Sequence, residues 1–195
     1  MRVLYLYCHP LPESFHAAIR TTALAGLAEA RHEVDLCDLY AERFDPVMSG
    51  EERRRYHDTS RNQTGIEIYV RRLCAAEALV VQFPTWCFGP PALLKGFLDK
   101  VMVPGVSFDM SDPQNVRPLL ELKHIAGIVT YGRDRWRAMA MGDPPRKLVM
   151  RYLPRSAVVK ARASYHALYH MNVATEARRK RFIATVRRAM ARLGK

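Results

Sequence analysis

Ala78-Leu79-Val80-Val81-Gln82-Phe83 is an apolar, β-prone run closed by Pro84. Such a run, without polar alternation, suits a strand covered on both faces, as the central strands of parallel sheets are. Toward the N-terminus, Val3 to Tyr7 repeats the pattern and stops at His9-Pro10, and Val34 to Leu39 reads as a shorter strand. Toward the C-terminus, Ile125 to Thr130 makes a fourth strand and Ala157 to Ala163 a fifth. Helical patterns lie between them. Phe15, Ile19, Ala23 and Leu27 recur at helical spacing behind Ser14, an N-cap residue. Ile66 to Cys74 reads as helix, and Leu93, Leu94, Phe97, Leu98 and Val101 stripe another that opens with prolines. Asp143-Pro144 is placed to cap a helix through Leu153, and Phe182, Ile183, Val186, Met190 and Leu193 stripe the last one. Phe44 to Thr64 is a polar excursion with one short helix. Strands alternating with helices predict an α/β domain over residues 1–195, its parallel sheet covered on both faces.

Composition agrees with one folded domain. The chain of 195 residues is 49% hydrophobic, enough for a core and too much for disorder. No uncharged apolar run reaches the roughly 18 residues of a membrane span. The stretch Met1 to Cys8 lacks a leading basic region and a small-residue cleavage site, so a first core strand is expected rather than a signal peptide. Cys8, Cys37, Cys74 and Cys87 form no Cys-x-x-Cys pair, so neither a zinc site nor a redox dithiol is expected. Reduced thiols in a cytoplasmic protein are the expectation. The net charge of +12 is uneven: residues 133–195 carry 17 Lys and Arg against three acids, and residues 1–132 carry 14 against 16.

Ligands of open parallel sheets collect at the carboxyl ends of the strands, where three features fall. His9-Pro10-Leu11-Pro12-Glu13-Ser14-Phe15 leads from the first strand into a helix N-terminus, which favours an anion such as phosphate. An ordinary strand–turn–helix with a serine cap is the alternative. With no glycine in the loop, it is neither a P-loop nor a dinucleotide fingerprint. Pro84-Thr85-Trp86-Cys87-Phe88-Gly89-Pro90-Pro91 sets aromatics in a stiff loop, where flat faces suit a planar ring, a packing contact or a dimer contact. Thr130-Tyr131-Gly132 offers backbone N–H groups, and Gly132 permits close approach. A phosphate at the first strand with a planar heterocycle over the third and fourth describes a flavin nucleotide.

The sequence resembles the NAD(P)H:quinone oxidoreductase family, flavodoxin-like flavoenzymes that include the modulator-of-drug-activity-B type. The resemblance rests on His9-Pro10 with Ser14-Phe15, Asp38-Leu39-Tyr40, Phe44-Asp45-Pro46 and Gln82-Phe83-Pro84. It continues through Phe88-Gly89-x-Pro91-Ala92-x-Leu94-Lys95-Gly96-Phe97, Pro104-Gly105 and Thr130-Tyr131-Gly132. It implies a doubly wound five-stranded parallel sheet of order 2-1-3-4-5 and a homodimer with active sites at the subunit boundary. It also implies tightly held FAD, with FMN as the alternative, and NAD(P)H as co-substrate in ping-pong hydride transfer to a quinone-like acceptor. On this resemblance His9, Ser14 and Phe15 would hold the flavin phosphates. Pro84, Thr85, Trp86, Cys87 and Phe88 would line the ring, Thr130, Tyr131 and Gly132 would meet its pyrimidine edge, and Arg178 would lie near an FAD adenine. No catalytic side chain and no metal ligand is assigned.

The sequence departs from the family in two places. An aromatic is usual where Cys87 stands, and the Tyr and His that stabilise the reduced flavin in the mammalian enzymes have no clear counterparts after Gly132. Arg133-Asp134-Arg135-Trp136-Arg137 stands there instead, making its arginines candidates to face the ring edge. The alternative function is a flavin-binding electron carrier or an ancillary subunit of a potassium-efflux system. Nucleic acid is disfavoured as a partner, because Arg178-Arg179-Lys180-Arg181 and Arg187-Arg188 alternate with an apolar stripe. Contact with an anionic membrane surface stays open.

Overall fold

The structure is a computed structural model describing residues 1–195. In chain order the elements are β1 (Arg2–Tyr7), α1 (Phe15–Glu29), β2 (Glu33–Asp38), α2 (Gly50–Arg54), α3 (Glu67–Ala75) and β3 (Ala78–Pro84). They continue with α4 (Ala92–Val101), β4 (Phe108–Asp109), β5 (Arg117–Pro118), β6 (His124–Thr130) and α5 (Arg135–Ala140). The last are α6 (Pro144–Lys147), β7 (Arg162–Leu168) and α7 (Glu176–Met190). Five parallel strands form the main sheet in the order β2-β1-β3-β6-β7, so the expected 2-1-3-4-5 arrangement holds, β6 and β7 being its fourth and fifth strands. The antiparallel pair β4–β5 stands apart as a small ribbon.

Position in the sheet explains composition. β3 lies at the centre and is buried at every residue, as its unbroken apolar run requires. β2 is an edge strand with three exposed positions between polar residues. One sheet face is covered by α1 and α7, whose Ile19, Ala23, Leu27, Val186 and Met190 are fully buried. These helices approach closely at Gly26, where a Cβ would lie 2.5 Å from the Arg187 carbonyl oxygen. The other face carries the larger core, contributed by α3, α4 and the segment after β6. No helix is long and apolar enough to cross a membrane.

Two expected elements are corrected. The fifth strand is Arg162–Leu168, not Ala157–Ala163. Val158 and Val159, a β-branched pair inside the expected span, are about half exposed at 51% and 52%. Ala157 makes only an isolated bridge with Leu120, and pairing with β6 begins at His124 opposite Arg162. β7 is an edge strand whose tyrosine, histidine and serine lack the apolar signature of a central one. The helix expected from Asp143 to Leu153 is α-helical only through Lys147, then π-helical over Leu148–Tyr152 and 3-10 over Leu153–Ser156. Asp143 does not cap it: its φ is +45° and its carboxylate faces two tyrosines instead.

Candidate functional site

β1, β3 and β6 are neighbours, so the three loops singled out above emerge side by side. Hydrogen bonds tie them together. The Thr85 amide donates to the Thr130 carbonyl at 2.8 Å, and the Cys8 amide to the Gln82 carbonyl at 3.0 Å. Reciprocal Trp86–Gly89 bonds of 3.0 and 2.9 Å close a tight turn whose central residues, Cys87 and Phe88, have φ of +49° and +58°. Neither is glycine, and left-handed backbone costs an L-residue about 1–2 kcal/mol. Pro84, Pro90 and Pro91 hold the turn from both sides. Phe88 packs on the larger core, while Trp86 is 44% exposed and Cys87 is exposed. A flat indole stands at the sheet edge on strained, braced backbone, the kind of strain that persists at ligand sites.

At the first loop Ser14 caps α1 as expected, its Oγ accepting from the Ala17 amide at 3.2 Å. Its hydroxyl neighbours that of Tyr7, and the serine proton can be given either to Tyr7 or to a ligand. The first turn of α1 contains no acid, so the positive end of its dipole is not neutralised from within the helix. His9 Nδ1 accepts from the Leu11 amide at 3.2 Å, and burial lowers the pKa of the ring. The neutral ring therefore carries its proton on Nε2. Tyr7, at the end of β1, keeps a buried hydroxyl without a hydrogen-bond partner. Arg179, not Arg178, approaches this loop, its guanidinium 6.0 Å from the Phe15 ring centroid. Arg178 is exposed on the first turn of α7.

Beneath the loops runs a buried polar chain. The Tyr5 hydroxyl donates to Gln82 Oε1, and Gln82 Nε2 donates to the His16 carbonyl at 2.7 Å and His16 Nδ1 at 3.1 Å. With Nδ1 accepting, the imidazole proton sits on Nε2 and donates to Thr130 Oγ1 at 2.8 Å. Thr130 thus keeps its own hydroxyl proton to give. His9 stacks on His16 at 5.2 Å, joining the chain to the first loop. His16 went unmarked in the sequence, where it is one histidine beside an apolar stripe. Gln82 counted only as part of the resemblance, although a lone glutamine in an apolar strand was the available signal.

Burial, with His9 beside it, lowers the His16 pKa to about 3. The unfolded chain, with a histidine pKa of about 6.5, therefore binds the extra proton first as pH falls. This contribution to stability is present above pH ~6.5 and is lost as pH falls toward the folded value, at about 1.4 kcal/mol per unit. Between pH 6.5 and 5 the parent chain should lose about 2 kcal/mol more than a His16→Gln variant. Urea unfolding of both proteins at the two pH values measures this; parallel losses would show that His16 is not buried in neutral form.

The third loop is rearranged relative to expectation. Tyr131 donates its amide to the Leu168 carbonyl at 2.9 Å, so that N–H does not face a ligand. The Gly132 amide has no such partner. The Tyr131 ring is buried and stacked on Tyr169 at 4.4 Å, its hydroxyl meeting Asp143 and Tyr165. Of the arginines after it, Arg137 pairs with Asp134, the N-cap of α5, and Arg133 and Arg135 are exposed.

Known proteins resemble this chain in sequence and in fold. The NAD(P)H dehydrogenase [quinone] 1 of Cavia porcellus is 28% identical over 149 residues, 68% of this chain and 54% of that protein. The chain therefore spans about half the length of such mammalian relatives. An FMN-dependent NADH:quinone oxidoreductase 1 of Bradyrhizobium diazoefficiens is 28% identical over 144 residues, 68% of this chain and 69% of that one. The crystal structure of Smu.1420 from Streptococcus mutans superposes with a TM-score of 0.86 at 28% identity, covering 98% of this chain and 99% of that one. A family model described as the flavodoxin-like fold matches residues 1–186. That match takes in every strand of the sheet and most of α7, and the chain belongs to the flavodoxin-like-fold family.

Proposed function

We propose that this chain binds a flavin nucleotide at the C-terminal edge of its sheet and reduces a quinone-like acceptor with electrons from NAD(P)H. The observation that carries the reading is the hydrogen-bonded convergence of the three loops at Thr130, which receives both the Thr85 amide and His16 Nε2. The residues present fit the group. The Ser14 hydroxyl, His9 Nε2–H and the bare N-terminus of α1 are donors suited to phosphate, close in sequence to the unpartnered hydroxyl of Tyr7. Trp86 and Phe88 supply flat surface, and the Gly132 amide supplies a donor for a heterocycle edge.

A bound flavin would accept hydride from NAD(P)H and pass the electrons to the acceptor in a second half-reaction. The chain's part is to hold, orient and shield. The braced Cys87–Phe88 turn fixes the aromatic wall, and the buried Gln82–His16–Thr130 chain fixes the polar floor. FAD is the preferred cofactor, with Arg178 toward its adenine. FMN is the alternative, favoured by the FMN-dependent relative. The exposed Trp86 fits a homodimer with the site at the subunit boundary.

The purified protein should be yellow. Heat should release close to one flavin per chain, which chromatography identifies as FAD or FMN, and menadione should sustain NADPH oxidation. A colourless protein without affinity for either flavin would overturn the reading. A bound flavin that NADPH cannot reduce would leave a carrier in place of an enzyme.

A further inference from the structure

A cavity of about 620 Å³ lies between β7 and the segment that runs from α5 through the π-helical turn. Four cationic side chains line it: Arg135, Arg146, Lys147 and Arg151. None of them has a salt-bridge partner, whereas nearby Arg137 is paired with Asp134. The one carboxylate in the wall, Asp143, is already occupied by the hydroxyls of Tyr131 and Tyr169. Arg146 is held over the Tyr165 ring at 5.5 Å. Like charges gathered without counter-charge repel one another, and an anion among them relieves that repulsion.

The backbone around the cavity is irregular. Gly142 and Asp143 are consecutive left-handed residues, with φ of +78° and +45°. The wall from Leu148 to Tyr152 is π-helical, a form that recurs at functional sites. Arg146, in α6, and Arg151, within the π-helical turn, both line the cavity. Met139 and Met150 line the remainder with the tyrosines, giving a polarisable apolar surface beside the charges.

We infer that this cavity is a second ligand site, built for a nucleotide: a planar base on the tyrosine–methionine surface, with its phosphates among the arginines. The volume lies in the range of pockets that hold whole small molecules, far more than one phosphate fills. Three arginines and a lysine call for more than one negative charge, and the guanidinium fork matches phosphate geometry. The buried Tyr131 ring, stacked on Tyr169, lies among the cavity's tyrosines, whereas Thr130 just before it faces the three loops. The inference therefore does not depend on the flavin reading. Two sources share the chemistry, a free nucleotide and the adenosine-phosphate half of NAD(P)H.

Calorimetric titration of the full chain, with its flavin content measured beforehand, tests the site with ADP, adenosine and inorganic phosphate. ADP should bind at least about tenfold tighter than adenosine, and phosphate should compete with it. An Arg146→Glu/Arg151→Glu variant, altered at two exposed positions, should lose about tenfold or more in ADP affinity while keeping parental flavin content and melting temperature. ADP affinity within about twofold of the parent would overturn the inference. Loss of flavin together with ADP would also overturn it, by merging the cavity with the flavin site. If the variant raises the KM for NADPH about tenfold at unchanged kcat, the occupant is the dinucleotide; if KM holds while ADP binding falls, it is a free nucleotide. A parent without flavin would sink the proposed function and leave the ADP titrations readable.

Discussion

Gln82→Leu should lower the unfolding free energy by about 3–5 kcal/mol, the largest loss expected from a single near-isosteric change in this protein. Gln82 is fully buried at the centre of the sheet and bonds Tyr5, the His16 carbonyl and His16 Nδ1. Leucine fills the space but leaves the Tyr5 hydroxyl and His16 Nδ1 without a partner, while the His16 carbonyl keeps its bond within the α1 ladder. A buried polar group so orphaned costs about 1–3 kcal/mol. The effect reaches the site as well. Without the amide donor, His16 Nδ1 no longer has to accept, and the Nε2 proton that holds Thr130 is no longer fixed in place. Flavin affinity should therefore fall with stability. Urea unfolding followed by circular dichroism measures the first loss, and flavin titration of the folded variant the second. A loss below about 1 kcal/mol would mean that the buried groups find other partners.

Gly96→Ala should cost about 3 kcal/mol, equivalent to a melting temperature lower by roughly 6–12 °C for a chain of this size. A Cβ on Gly96 would lie 2.3 Å from the Pro46 carbonyl oxygen and 2.5 Å from its Cα. Those are backbone atoms, which cannot rotate away as a side chain can, so α4 itself must move. Because α4 begins just after the Trp86–Gly89 turn, that movement also disturbs the aromatic wall. Gly50→Ala is the matched control. Gly50 opens α2 with nothing within 4 Å of the added methyl, and alanine there should leave stability unchanged or raise it by up to about 1 kcal/mol. Thermal melts of both variants decide the matter. If Gly96→Ala melts with the parent, α4 does not rest on Pro46.

The same contact explains why two separated motifs, Phe44-Asp45-Pro46 and Lys95-Gly96-Phe97, both contributed to the resemblance: they meet in space. The lopsided charge also gains a structural account. Part of the cationic final third lies on the exposed face of α7, and part lines the cavity beside β7.

Local patterning was enough for four of the five strands, for α1, α3, α4 and α7, and for the three loops. Apolar runs such as Ala78–Phe83 and stripes such as Ile19, Ala23 and Leu27 are set by burial against one neighbour at fixed period. The Ser14 cap is a contact three residues long, equally readable. The rest joins residues far apart in the chain. His16 meets Thr130 across 114 positions and Gln82 meets Tyr5 across 77, so neither residue type announces its partner. The site of the fifth strand was misread because an edge strand need not be apolar, whereas Val158-Val159 resembles a strand and pairs with none of the main sheet. Tyr131 sits where the sequence put it, at the end of β6, yet only the folded structure packs its ring against Asp143, Tyr165 and Tyr169, three residues of the cavity wall. Periodicity encodes which face of an element is buried; which polar groups meet on that face is decided by side-chain packing across the assembled sheet.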